Sequence, residues 1–150
     1  MLDTKLYEEE LEKINFQVNI EEIDGIPTDM AQKIVRTDTN QPLGIVKSKY
    51  KPINHKEAFL GALMQMDKGG VSFKNSEIKI DAYENGAMAK MEVLLKDHNT
   101  KIGEHDLSLK FIARNSYNGR WKFQSFFGWL NHVCFNTLVT GQKLAYTSNR

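Results

Sequence analysis

The chain holds one cysteine and three prolines in 150 residues. A single cysteine excludes an internal disulfide framework and fits a reducing compartment. No apolar run approaches the roughly 20 residues of a membrane-spanning helix. The acidic opening MLDTKLYEEELEK lacks the basic-then-apolar order of a secretory signal. A cytoplasmic protein with no membrane partner is the expectation. Chemical motifs are equally scarce. There is no Cys-x-x-Cys, and His55, His98, His105 and His132 include no pair at i, i+4 spacing, so the usual zinc patterns are missing. No glycine-rich loop is followed by Lys-Ser or Lys-Thr to cradle phosphate. Cys134, His132 and Asn136 match the inventory of a thiol hydrolase, but residues two apart on a helix point in different directions. Cys134 reads instead as a small buried hydrophobe. His98 and His105, with Asp97 and Asp106, flank NTKIGEHD, which reads as a solvated polar loop. The expectation is a non-enzyme with no metal and no cofactor.

What is present is ordinary in bulk and uneven in detail. At 41% hydrophobic and 26% charged, the composition is that of a globular protein. The length suits one domain of about 100–200 residues, taken here as 1–150. The formal net charge is +1, but residues 1–40 hold ten Asp/Glu against four Lys/Arg, a net −6, and residues 41–150 hold sixteen Lys/Arg against nine Asp/Glu, a net +7. Such a split fits either an anionic partner for the basic body or a solvated surface whose charges fell unevenly.

Periodicity supplies the elements. Residues 3–14 read as a short helix capped by Asp3, with Leu6, Leu11 and Ile14 on one side, and residues 16–20 alternate like a strand. DGIP (24–27) is a turn. Residues 33–38 and 43–53 read as two strands, the second ended by Pro52. The clearest helix opens at Asn54, with Glu57 completing a capping box, and closes at Gly69 and Gly70. Its stripe is Ala58, Phe59, Ala62, Leu63 and Met66.

Two Asn-Gly pairs then predict two-residue hairpin turns. A turn at Asn85-Gly86 sets Ile78 opposite Val93, Ile80 opposite Met91 and Ala82 opposite Ala89. The other face pairs Lys79 with Glu92 and Asp81 with Lys90, so like meets like and opposite charges meet. A turn at Asn118-Gly119 pairs Arg114 with Phe123 and Lys110 with Phe127 on one face, and Phe111 with Phe126 and Ala113 with Gln124 on the other. After Gly128 the pattern turns helical, with Leu130, Val133, Cys134, Thr137 and Leu138 on one side up to Gly141. The fold class expected is α+β, an antiparallel β-meander with two hairpins covered on one face by two helices, a β-β-β-α-like core.

One reading of the body is a platform for single-stranded nucleic acid, where cations meet phosphates and rings stack on bases. Its cations are Lys110, Arg114, Arg120 and Lys122, extended by Lys47, Lys49 and Lys51 of KSKYKP, and its rings are Tyr117, Trp121 and Phe123. The other reading packs Trp121, Phe123 and Phe127 under the N-terminal segment and leaves the lysines as solubilising charges.

Three stretches, taken in order, resemble a family of phage- and plasmid-encoded proteins known as domain of unknown function nine hundred and thirty-two. VRTDTNQPLGIVKSKYKPINHKEAF (35–59) is similar to its opening motif, NSYNGRWKF (115–123) to its polar hairpin, and GWLNHVCFNTL (128–138) to its Val-Cys-x-Asn-Thr signature. The resemblance covers about residues 33–141 and leaves 1–32 as an acidic leader. Asn131 and His132 stand where the family has a basic residue before Val-Cys. The genomic company of the family implies work on DNA, or against host defences, in a bacterial cell. The order of hairpin, hairpin and helix resembles, at fold level, Rad fifty-two type single-strand annealing proteins. The expectations are a homo-oligomeric, phage-encoded protein that binds single-stranded DNA and promotes annealing or recombination, or else an interaction module that inhibits or redirects a host protein.

Overall fold

The computed structural model describes residues 4–131, 138–140 and 146–147. A 3₁₀ turn over Thr4–Tyr7 runs into α1, Glu8–Glu12. The Asp3 cap lies outside the described residues. Three short strands follow, β1 (Val18–Glu22), β2 (Gln32–Arg36) and β3 (Pro42–Val46), joined as an antiparallel sheet in the order β1-β2-β3. The expected long strand 43–53 stops at Val46, where a turn closed by Tyr50 N–H on Lys47 O begins.

Helix α2 spans His55–Lys68. Its start is built as expected, with Asn54 Oδ1 accepting the Glu57 N–H at 3.2 Å, which satisfies one of the four donors a helix leaves unpaired at its N-terminus. The Asn54 amide also donates to Phe16 O, so the cap ties α2 to the chain just before β1.

The rest is one antiparallel sheet of β4 (Glu77–Tyr83), β5 (Met88–Ile102), β6 (His105–Ser116), β7 (Gln124–Asn131) and β8 (Leu138–Thr140) in that order, with β9 (Tyr146–Thr147) also on β7. The protein is α+β. Both helices lie on one face of this sheet. Tyr7, Leu11 and Ile14 from the N-terminal segment and Phe59, Leu63 and Met66 from α2 meet Ile80, Met91, Val93, Phe111 and Phe123. Fully burying one such side chain stabilises the fold by about 1.5–3 kcal/mol. A smaller core of Phe16, Ile34, Leu43, Val46, Ala87, Met88 and Tyr117 joins the three-stranded sheet to one end of the large one.

Two expectations need correction. The helix from Gly128 to Gly141 is absent where the chain is described, because β7 runs unbroken to Asn131 and Leu138–Thr140 is a strand. Val133, Cys134 and Thr137 lie outside the described residues. FFGWL is a short apolar run that periodicity cannot assign between helix and strand, and pairing along β6 decides for the strand. The second helix on the covered face is thus α1. Likewise, NTKIGEHD is not a polar loop. β5 and β6 continue through it to a tight turn at Gly103-Glu104, with Ile102 opposite His105.

The hairpins differ from each other. At Asn85-Gly86 the register is the expected one throughout. Asn85 (φ 60°, ψ 23°) and Gly86 (φ 94°) adopt the positive φ a type I′ turn demands, and Ala87 N–H bonds Glu84 O. At Asn118-Gly119 only the glycine has positive φ, 76°, and seven residues, 117–123, separate the strands. Phe111 pairs with Phe127 and Arg114 with Gln124, one residue away from the expected register. A slip of one exchanges the faces of a strand. The faces of β6 stand as read, and those of β7 are reversed.

Candidate nucleic-acid interface

Among the described residues, the large sheet has one face under the helices and one face without them, although Ser108 and Ile112 on that second face are buried. On the uncovered face, the register aligns Lys79 and Asp81 of β4, Lys90 and Glu92 of β5, and Lys110, Ile112 and Arg114 of β6, with Gln124 and Phe126 of β7 beyond. Three of the four cations come from the two central strands, where Lys90 stands opposite Arg114.

Their counter-charges are unequal. Glu92 takes two partners, Lys90 at 3.2 Å and Lys110 at 3.0 Å. Burial pushes the Glu92 carboxyl up, but the bonds from Lys110 and Lys90 outweigh it and hold the group below the usual carboxylate range. Burial lowers Lys90, and Glu92 more than offsets that, so Lys90 is raised. Lys79 pairs with Asp81 along its own strand at 3.8 Å, as Lys90 does with Glu92, so the residues that face each other in the register are neighbours whose ion pairs run along the strands.

Arg114 is different. It is half-buried, and no carboxylate is paired with it among the described residues. Its Nη2 donates to Gln124 Oε1 at 2.7 Å, its Nε is buried without a partner, and its guanidinium carbon lies 5.3 Å from the Trp121 ring centroid. Trp121 in turn meets Tyr83 edge-on, centroids 6.0 Å apart. A guanidinium fork resting on an indole, with donor capacity unspent, suits a phosphate oxygen.

The loop that carries Trp121 is held from both ends. Ser116 Oγ accepts the Trp121 N–H at 3.0 Å and donates to Trp121 O at 2.7 Å, and Asn118 Oδ1 accepts the Arg120 N–H. These side-chain bonds replace the two-residue turn. They leave Tyr117 fully buried and turn Phe123 inward at 5% exposure. Neither ring can stack on a base, which corrects that part of the expected platform.

The remaining cations border this loop. The backbone of β3 touches it so closely that a Cβ on Gly44 would lie 2.7 Å from Asn118 Cα and Tyr117 O. Tyr50 donates its hydroxyl proton to Ser116 O. Lys47, Lys49 and Lys51, all exposed, therefore sit on a segment beside exposed Arg120 and Lys122. They occupy a turn and coil rather than one side of a strand. Arg120 lies 3.9 Å from Glu84. The structure thus brings Lys110, Arg114 and Trp121 to one face and puts Lys47, Lys49, Lys51, Arg120 and Lys122 at its rim. Sequence reasoning missed Lys90 and Tyr83, though carrying the first hairpin's register one strand further places Lys90 beside Arg114.

Among the described residues no cluster of His, Cys, Asp and Glu could hold a metal ion, and no helix is long and apolar enough to cross a membrane. Residues 42–149 match the family described as a domain of unknown function, DUF932. The chain belongs to the DUF932 family. No curated protein and no solved structure matches it. The matched region begins at the first residue of β3 and takes in α2 and the strands of the large sheet, so the residues of the uncovered face lie within it. β1 and β2 precede it and add two strands to the edge of β3.

Proposed function

We propose that this DUF932 protein binds single-stranded DNA across the uncovered face of its six-stranded sheet, as a phage- or plasmid-encoded annealing or recombination protein working as an oligomer. The observation that carries the reading is Arg114, a half-buried cation set against Trp121 with no carboxylate paired to it among the described residues. Lys90 and Lys110 flank it and add charge that one Glu92 offsets only in part. Lys47, Lys49, Lys51, Arg120 and Lys122 would extend the track around the loop. Trp121 and Tyr83 are the stacking rings, each worth about 1–3 kcal/mol per base. Contacts of this kind read backbone and ring faces rather than base edges, so little base preference follows.

Fluorescence anisotropy with labelled oligothymidylate tests it. Binding to single strands weakens with a log–log salt slope of about −0.7 per phosphate neutralised, so three contacts lose about 20-fold between roughly 50 and 200 mM salt. Arg114→Glu should abolish most binding, and Glu92→Gln, which releases Lys90 and Lys110, should strengthen it. A folded Arg114→Glu variant that binds as the parent does contradicts the assigned face.

A further inference from the structure

A fully buried histidine lies beneath the loop that carries Trp121. His55, at the start of α2, has its Nε2 2.8 Å from Gly86 O and its Nδ1 2.8 Å from the Asn115 amide nitrogen. That nitrogen also donates to Ile53 O at 2.9 Å. Both amide hydrogens are therefore occupied, one on each acceptor, and Nδ1 carries no proton. The other end of the same amide is idle. Asn115 Oδ1 is buried with no hydrogen-bond partner among the described residues, and a buried acceptor in that state asks for an explanation.

The charged form of the ring supplies one. A proton added at Nδ1 points at the NH₂ group, donor against donor. Relief requires the amide to turn over, so that Oδ1 accepts from Nδ1–H. The NH₂ group then leaves Ile53 O and moves to where Oδ1 had no partner. Charging the ring thus breaks the bond that ties the segment before α2 to the end of β6. Asn115 stands between Arg114, which meets Trp121, and Ser116, whose hydroxyl holds both the Trp121 N–H and its carbonyl. Tyr117 follows, with its hydroxyl accepting the His55 N–H and its own N–H on Ala87 O.

We propose that His55 is a proton-sensitive latch on the DNA face: neutral, it holds Arg114 and Trp121 together, and charged, it loosens them and weakens binding. The effect on DNA rests on the function proposed above. The sign follows from linkage. The loosened form takes the proton, so the closed form is lost as pH falls, in the range of about pH 5 to 8 where histidine changes charge. The titratable and charged groups around the ring are Tyr117 from the loop, Arg36 from β2, Glu84 at the turn and Glu57 on α2. Arg36 lies over Phe16, which meets His55 edge-on, and donates to Asn85 O. Glu84 takes Asn118 and Arg120, and Glu57 is exposed. The sign is distinctive. Exposed His105 gains positive charge in acid, which favours DNA, and Glu92, held below the usual carboxylate range, stays charged across this window.

Oligothymidylate binding from about pH 8 to 5 at constant ionic strength, with imidazole nitrogen NMR of the free protein, tests the proposal. The parent should lose affinity in acid by up to about tenfold per pH unit, the limit for one proton. His55→Gln, which keeps a donor for Gly86 O without a titrating ring, should show no such loss. Asn115→Asp, which offers the charged ring a carboxylate, should also remove it, and serves where His55→Gln does not fold. In the spectra, the His55 Nε2–H tautomer should disappear together with a change in the Trp121 indole signal. A tautomer that persists to the acid limit, with Trp121 unchanged, overturns the latch whether or not DNA binds. Parent binding that tightens steadily in acid overturns it and leaves the DNA reading standing. A coupled His55 and Trp121 change in a chain that binds no oligonucleotide at any pH overturns the DNA reading, and with it the control of binding.

Discussion

Asn115 holds the ring of buried His55 in one tautomer. The Asn115 amide donates to Ile53 O at 2.9 Å, and a carbonyl can only accept, so the NH₂ group must point there. The same NH₂ lies 2.8 Å from His55 Nδ1, which is therefore the acceptor, and Nε2–H donates to Gly86 O at 2.8 Å. Tyr117 adds its hydroxyl as acceptor for the His55 N–H. Four segments meet in this cluster: the start of α2, the Asn85-Gly86 turn, the end of β6 and the 117–123 loop. Asn115→Ala leaves the Ile53 carbonyl and His55 Nδ1 without that donor and should cost about 1–3 kcal/mol, read as a lower midpoint in urea unfolding. An unchanged midpoint would mean the cluster does not anchor the loop. None of this was legible in the sequence. His55 reads there as the first residue of a helix and Asn115 as turn chemistry, because the partners that bury them lie about sixty residues away in the chain. The Asn54 cap was legible, since its partner is three residues on.

The strands show where local signals suffice and where they fail. Asn85-Gly86 is governed by its own backbone, so its register could be written down residue by residue. Asn118-Gly119 carries the same dipeptide, but Ser116 grips Trp121 and β3 presses on the loop, and these contacts decide the geometry. Gly44→Ala tests that contact. Its methyl would meet backbone atoms 2.7 Å away and should destabilise the fold by about 1–3 kcal/mol; a thermal midpoint equal to that of the parent contradicts the packing. The free edge of β4 is managed by α1. Glu10 Oε2 accepts the Ile80 N–H at 2.8 Å, and Lys13 Nζ lies 3.5 Å from Ile80 O, so side chains occupy the bonds a neighbouring strand would take. Burial pushes the Glu10 carboxyl up, but bonds from Lys13 and Ile80 N–H hold it lower than usual on balance. A carboxyl depressed in the folded state contributes stability that is present above its unfolded pKa and lost as pH falls through its folded one. Glu10→Gln should flatten the acid side of the stability–pH curve, and an equal slope in both proteins would remove Glu10 from that role.

At the scale of the whole molecule, the covered face holds the core and the other face carries the candidate site. That division was legible for β5 and β6, whose alternation places Lys90, Lys110 and Arg114 on one side. It was not legible for β7, because a slip of one residue carried Phe123 and Phe127 inward and Phe126 outward. The cost to the site is two stacking rings, Tyr117 and Phe123. What remains is Arg114 on Trp121, with a cationic rim gathered from residues 47–51 and 120–122. Trp121 is the natural reporter, and Trp129, opposite Leu109 on β7, is the only other tryptophan. The most direct measurement is the emission of Trp121 in a Trp129→Phe background, titrated with oligothymidylate at low and high salt. Quenching at low salt that disappears at high salt, and that Arg114→Glu removes, is the predicted result. Emission that oligonucleotide leaves unchanged at low salt would contradict a nucleic-acid role for this face.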